Sequence, residues 1–279
     1  MTAEEYFLLP DISNSDLQYF RGPNHSYCPL SAWQLFLRRG EREYGDPLLL
    51  GHIVHKEPET RFGALKADID YVPSKFATTK GKGYKKEVAD LAPEGKYPVP
   101  QTLLDQAHAM IEAIKRDAPK IYIEGITDTL WDILMDPMTL MEEIVVEDGM
   151  RAMMDCLAPQ HGIVIDHKTI SFRTPPSPQA WEKKAIEFGY HMQAFHYLTM
   201  ANKVGDYDRF MFHVIQKEFP HNVMIFEMSE YFLELGEAEY IRCKERMAEA
   251  QDKGLNNSSW RFKSQLVNPP AWAESLFEV

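Results

Sequence analysis

Residues 162–172, GIVIDHKTISF, carry an apolar run straight into an acid and a lysine two positions apart. In a strand, successive side chains turn to opposite faces, so Asp166 and Lys168 share one face and His167 points to the other. Such a strand leaves a buried core and ends on a paired charge. An ion pair where a sheet meets water accounts for Asp-x-Lys by itself, so the neighbouring segments decide whether the pair has chemistry to do.

Those neighbours are sheet-forming. Asp148-Gly149, between EEIVV and MRAMMDCL, is a two-residue hairpin signal, and APQHG turns the chain into the Asp166 strand. Before them, Leu103, Leu104, Ala107, Met110, Ile111 and Ile114 fall at helical spacing from Pro100 to about residue 117. After them, Trp181, Ala185, Phe188, Met192 and Phe195 mark one helix from Trp181 to about Asn202. A second hairpin, DRFMFHVIQKEFPHNVMIFEMS, precedes a long helix from about Glu230 to Asp252. This order of helix, three strands, helix, two strands, helix predicts an α/β fold with a mixed central β-sheet flanked by helices. The first 60 residues read as helical pieces, with Ser13 or Ser15 capping DLQYF and apolar spacing in SAWQLFLRR, whereas region 72–100 reads as exposed loops. One domain is expected over residues 1–279: a helical and loop part at 1–100, a core at 101–252 and a C-terminal tail at 253–279.

Composition removes several classes of function. With 44% hydrophobic and 26% charged residues the chain reads as globular, and no apolar run approaches the roughly 20 residues that span a bilayer. The opening MTAEEYFLLPDISNSD has acids where a secretory signal has a basic region, so a cytoplasmic protein with no membrane partner is expected. Cys28, Cys156 and Cys243 are scattered, which supports neither a disulfide framework nor a cysteine metal site. A net charge of −12 argues against a basic nucleic-acid coat but leaves room for a local basic channel. KFATTKGKGYKKE supplies Lys75, Lys80, Lys82, Lys85 and Lys86 with Tyr84 among them, a stretch able to follow phosphates and stack a base, or equally a solvated loop.

The constellation around Asp166 is where chemistry enters. Asp155 ends the preceding strand, and a tight antiparallel connection brings the two acids to one point. Glu142 or Glu143, at the start of the first strand of the group, reaches the same place, and hairpin face parity favours Glu143. Converging carboxylates are hard oxygen ligands suited to Mg²⁺, with Mn²⁺ as substitute, and Mg²⁺ commonly engages phosphate. Lys168 is then placed to orient an attacking water and offset charge in a phosphodiester-hydrolysis transition state.

Glu143, Asp155, Asp166-His167-Lys168 and a following helix with GYHMQAFHY together resemble the PD-(D/E)xK nuclease superfamily, within it the RecE, RecB and lambda-type exonuclease group. Gln193 and Tyr197, four apart on one helical face, match that group's Gln-x-x-x-Tyr element. PDISNSDLQYFRGPNHSY is similar to the opening of RecE-like chains, and LGHIVHKEPE to their Gly-x-x-x-His helix, which brings His55 toward the site. The likeness runs through most of residues 10–230, its specific part from Glu143 to Tyr197; Glu124, Glu142 and Glu143 stay open as the first acid.

The resemblance implies a restriction-endonuclease-like fold and a Mg²⁺-dependent exonuclease that degrades double-stranded DNA from its ends in phage-type recombination. It further implies catalytic Lys168, Asp166, Asp155, Gln193 and Tyr197, and metal-holding Asp155, Asp166, Glu143 and His55. A homo-oligomer, a single-strand annealing partner and a DNA path over Lys80, Lys82, Lys85 and Lys86 complete the expectation. The rival readings are a structure-selective or restriction-type endonuclease and a non-catalytic DNA-binding module on the same fold.

Overall fold

Residues 163–170 of the GIVIDHKTISF run form the central strand of a five-stranded mixed sheet with helices on both faces. The computed structural model describes residues 5–6, 9–21, 32–33, 36–37, 46–62, 69–171 and 177–253. In chain order its main elements are helix α1 (Asn14–Leu17), helix α2 (Asp46–Glu59), strand β1 (Asp70–Pro73), helix α3 (Lys82–Leu91), strand β2 (Lys96–Val99), helix α4 (Gln101–Asp117) and helix α5 (Leu130–Met135). Strands β3 (Leu140–Glu147), β4 (Met150–Ala158) and β5 (Ile163–Ile170) follow, then helices α6 (Pro178–Phe188) and α7 (Tyr190–Ala201), strands β6 (Arg209–Gln216) and β7 (Val223–Glu227), and helix α8 (Glu230–Lys253).

The large sheet has the order β3-β4-β5-β6-β7, antiparallel throughout except between β5 and β6. That parallel pair is what the α6–α7 crossover requires. Side chains alternate between two cores. Val164, Phe210, Phe212 and Val214 pack toward α6, α7 and α8, with Trp181, Met192, Leu198 and Met247. Ile163, Ile165, Met211 and Ile215 pack the other way, with Leu50, Val54, Met110, Ile114 and Leu134 of α2, α4 and α5. Each such buried side chain contributes about 1.5–3 kcal/mol relative to exposure. Trp181 stacks on Phe226 at 5.2 Å and Tyr190 at 5.5 Å, fixing α6 and α7 over the sheet.

The predicted α/β order and the mixed sheet are present, with three departures. The single helix expected from Trp181 to Asn202 is two, because Gly189 at φ 71° ends α6 in the left-handed conformation that favours glycine. Phe188, one residue earlier, is consequently 45% exposed instead of packed. Region 72–100 is structured rather than looped: β1 and β2 form a parallel pair, and Tyr84 of α3 is buried with its hydroxyl donating to Pro98 O at 2.7 Å. Tyr84 is therefore not available to stack a base. Short α5 carries a Thr129–Asp132 capping box that the sequence reading passed over. SAWQLFLRR lies mostly outside the described residues, as does the tail from 254 onward.

Candidate active site

The site is a fork in the sheet. Strands β4 and β5 pair only from Ala158↔Ile163 to Cys156↔Ile165. At the next rung, Asp155 and Asp166, the ladder stops; β5 continues on β6 and β4 on β3. The Asp155 carboxylate takes over as bridge, accepting the His167 backbone N–H at 2.7 Å. In–out alternation also slips here: Met154 and Leu157 belong to one core, Cys156 and Ala158 to the other. Across β3, Glu142 sits at φ 50° between the paired Met141 and Glu143, an uncommon conformation for a non-glycine residue. A cleft of about 700 Å³ opens over this fork, walled by α1, α2 and the α6–α7 junction.

Two close approaches shape the walls. Gly51 lets α2 lie on β5, since a side chain there would press on Thr169 Oγ1 at 3.3 Å. Opposite, Arg21 binds the last carbonyls of α6, Ile186 O at 2.7 Å and Glu187 O at 3.2 Å, and pairs with Glu239 at 3.1 Å. That guanidinium occupies the space a side chain at Gly189 would need.

Inside the cleft, charge is crowded. Asp166, 2% exposed, accepts from Lys168 Nζ on one oxygen and from Gln193 Nε2 at 2.8 Å on the other, and Tyr197 follows Gln193 one turn later on α7. The Lys168 ammonium lies over the rings of Tyr190 and Phe212, 5.1 and 5.6 Å from their centres. Burial, with repulsion from Asp155 added, pushes Asp166 up to about 7 against the pull of Lys168. Burial likewise raises Asp155, with Glu142 adding to it. Glu59 is pushed up to about 8 by burial and by Glu142, although Lys56 sits 2.9 Å from Glu59 and 3.0 Å from Glu142. Four carboxylates thus share two lysines, and in the absence of further positive charge Asp155, Asp166 and Glu59 hold protons that free carboxylates would release.

The residues fit a hydrated divalent ion. Asp155, Asp166, Glu59 and Glu142 present the hard oxygens that Mg²⁺ takes, and the raised proton affinities of Asp155, Asp166 and Glu59 mark a deficit of positive charge. Among the described residues no three His, Cys, Asp or Glu close on one point as a finished cage. Mg²⁺ keeps several waters and is typically held by one or two carboxylates plus phosphate, so an open set is the kind it uses.

The structure brings Asp155, Asp166, Lys168, Gln193 and Tyr197 together. Glu143 it does not: its charge acts on Tyr207, away from the cleft, while Glu142 lines the cleft. Face parity pointed to Glu143 because it assumed a regular strand, and the left-handed backbone at Glu142 breaks that regularity. Glu124 is exposed, beside Arg209. His55 reaches the cleft floor but packs against His167, ring centres 5.7 Å apart, and His167 Nδ1 lies 2.8 Å from His213 Nδ1. Burial lowers all three imidazoles, His167 to about 3, so they stay neutral. Glu59 was missed; its signal was the i,i+4 spacing from His55 on α2.

Lys80, Lys82, Lys85 and Lys86 are exposed, the last three on α3. The Thr79 hydroxyl donates to Asp46, tying their loop to the start of α2, where Pro47 and Leu48 form the cleft rim. The exposed aromatic beside these lysines is Phe76, 40% exposed and resting on Gly83.

Comparison with known proteins agrees with this architecture. The family model described as "PDDEXK-like domain of unknown function (DUF3799)" matches residues 13–258. The fold is similar to a putative exonuclease from Eubacterium rectale, with a TM-score of 0.58 at 16% identity over 100% of this chain and 99% of that one. Weaker likenesses are a phage related exonuclease from Haemophilus somnus (TM-score 0.37, 11% identity, 90% and 99% covered) and an alkaline exonuclease from Laribacter hongkongensis (0.35, 12%, 90% and 96%). No curated protein matches the sequence. With a family model spanning most of its length, and the sheet fork carrying Asp155 and Asp166-His167-Lys168, the chain belongs to the PDDEXK-like domain family.

Proposed function

We propose that this chain is a divalent-metal-dependent deoxyribonuclease that hydrolyses double-stranded DNA from its ends. The observation that carries the reading is the fork itself: Asp155 and Asp166 part the sheet beneath an open cleft, with Lys168 drawn onto Asp166. Asp155, Asp166, Glu59 and Glu142 would hold Mg²⁺ or Mn²⁺, which when bound supplies Lewis-acid polarisation of the phosphodiester and offsets its charge. Lys168 orients the attacking water and stabilises charge on the phosphoryl oxygens. Gln193 fixes the Asp166 carboxylate so that one oxygen faces Lys168, and Tyr197 backs it from the next turn of α7. The neutral histidines behind them add no competing charge.

The resemblance to recombination exonucleases extends the reading to phage-type recombination, with a ring-like homo-oligomer and a single-strand annealing partner for the product. Linear and covalently closed circular duplexes incubated with Mg²⁺ test it. Linear DNA is expected to shorten from its ends while the circle stays intact. Cutting of the circle indicates the endonuclease rival, and binding without cutting of either indicates the inert module.

DNA reaches the cleft of a −12 chain through concentrated positive charge, and the row on and before α3 is the proposed path. Replacing Lys80, Lys82, Lys85 and Lys86 by alanine is expected to weaken binding and to flatten the plot of log affinity against log salt by about 0.9 per lost phosphate contact. An unchanged slope would make these lysines an ordinary solvated face.

A further inference from the structure

The cleft holds one more cation, and the chemistry at the fork does not use it. Lys217 follows β6 on the face of His213 and Ile215, its N–H bonded to Ile170 O at 2.9 Å and its carbonyl held by Gln106 Nε2 at 3.0 Å. Its backbone is thus fixed at the end of the β5–β6 pair, next to Thr169, and both residues line the cleft. The other cations of the cleft and its wall are committed: Lys168 to Asp166 and Arg21 to Glu239 and the α6 carbonyls in the lining, and Lys56 to the lining residues Glu59 and Glu142. Among the described residues Lys217 has no carboxylate partner within ion-pair distance, although it is half-buried. Burial lowers its proton affinity, with only Glu218 opposing, so the ammonium lacks the anion that would compensate its lost hydration.

We propose that Lys217, with the Thr169 hydroxyl beside it, is a seat for a non-scissile phosphate of the bound strand. A half-desolvated ammonium is suited to a phosphate as a point charge, and a hydroxyl supplies a directed second donor. Thr169 turns to the α2 face of β5 and Lys168 to the Tyr190 face, and both line the cleft, so a phosphate seated at Thr169 holds the strand across the end of β5 with a neighbouring linkage at the fork. Gly51 serves the same end, keeping the α2 wall close to Thr169 without covering it. The seat rests on the nuclease reading and adds a register-setting contact to it.

Lys217→Met keeps the length of the side chain without its charge, and Lys217→Arg restores the charge. The probes are short duplexes carrying one neutral methylphosphonate linkage, moved along the strand position by position. Affinity is measured with Ca²⁺ and cleavage at saturating DNA with Mg²⁺. Lys217→Met is expected to weaken affinity about 10-fold or more, the scale of one hydrogen bond to a charged group, with cleavage at saturation within about threefold. Arginine should recover most of the loss. One methylphosphonate position should weaken the parent protein about 10-fold yet leave Lys217→Met unaffected, because both changes remove the same contact. Equal penalties in both proteins at every position would overturn the seat while leaving the nuclease reading intact. A parent protein that neither binds nor cuts any duplex would remove the nuclease reading, and the seat with it.

Discussion

Lys168→Ala is expected to lower DNA cleavage by about 100-fold or more, the scale seen when one donor to a developing oxyanion is removed. Two effects have to be separated. On the proposed reading Lys168 faces the transferred group, but it is also the cation bonded to buried Asp166. Without it the Asp166 carboxyl holds its proton more tightly still, since burial and Asp155 already raise it and the opposing lysine is gone. The variant should therefore bind divalent ions weakly at neutral pH. It should also be less stable, although protonation of Asp166 softens the roughly 3–5 kcal/mol that breaking a buried pair can cost. Single-turnover cleavage at pH 7 and pH 9, with circular dichroism as a check on folding, resolves the two. A loss that persists at pH 9 belongs to the chemistry. Recovery at pH 9 would mean that Lys168 only keeps Asp166 ionised, and a folded variant that cuts at the parental rate would disprove the assignment of this fork as the active site.

The parts of this site that could be read from sequence are those governed by local rules. Asp166 and Lys168 share a regular strand, and period-two alternation places both at once. Gln193 and Tyr197 are four apart on α7, and helical geometry joins them. What escaped depends on irregular backbone or on tertiary docking. Glu142 replaces Glu143 because one residue adopts φ 50°, and period-two reasoning has no means of anticipating that. The ladder stops at Asp155 because two strands diverge, although the sequence on each side reads as continuous strand.

Glu59 reaches the cleft from α2, more than eighty residues from Glu142, and only the packing of α2 on β5 reveals the meeting. The i,i+4 relation to His55 was available, but Pro58 between them reads as a helix end, and here it falls in the last turn of α2. The same distinction explains the 72–100 region. Its glycines and lysines suggest loop, whereas Tyr84 and Pro98 supply a buried hydrogen bond that anchors α3 on β2. Local composition reported the exposed face of that unit and not its inner one.

Stability without metal is expected to fall as pH rises from about 6.5 to about 8, and Mg²⁺ is expected to reverse that trend; below about 6.5 the buried neutral histidines, which the unfolded chain protonates, contribute the opposite slope. Asp166 and Glu59 are raised, to about 7 and about 8, so the folded chain keeps protons that the unfolded chain releases near pH 4. Where the folded state binds more protons than the unfolded, stability decreases with pH; the loss begins at the unfolded values and is complete above the folded ones. Each group taken alone would account for about 4–5 kcal/mol as an upper bound, and because the groups interact the two are not additive. A divalent ion binds the ionised carboxylates, so its contribution grows over the same window. At a hundredfold excess over its Kd, Mg²⁺ contributes about 2.7 kcal/mol, which for a chain of this size raises Tm by about 5–10 °C. That rise is expected at pH 8.5 and should shrink markedly at pH 6, where protons compete. The Asp155→Asn, Asp166→Asn double variant should lose the Mg²⁺-dependent rise at both pH values and show a shallower metal-free slope, with Glu59 left to supply the remainder. Thermal melts with and without Mg²⁺ at the two pH values measure all of this without reference to DNA cleavage. A Mg²⁺-induced shift that is equal at both, or that survives in the double variant, would place the ion somewhere other than the fork.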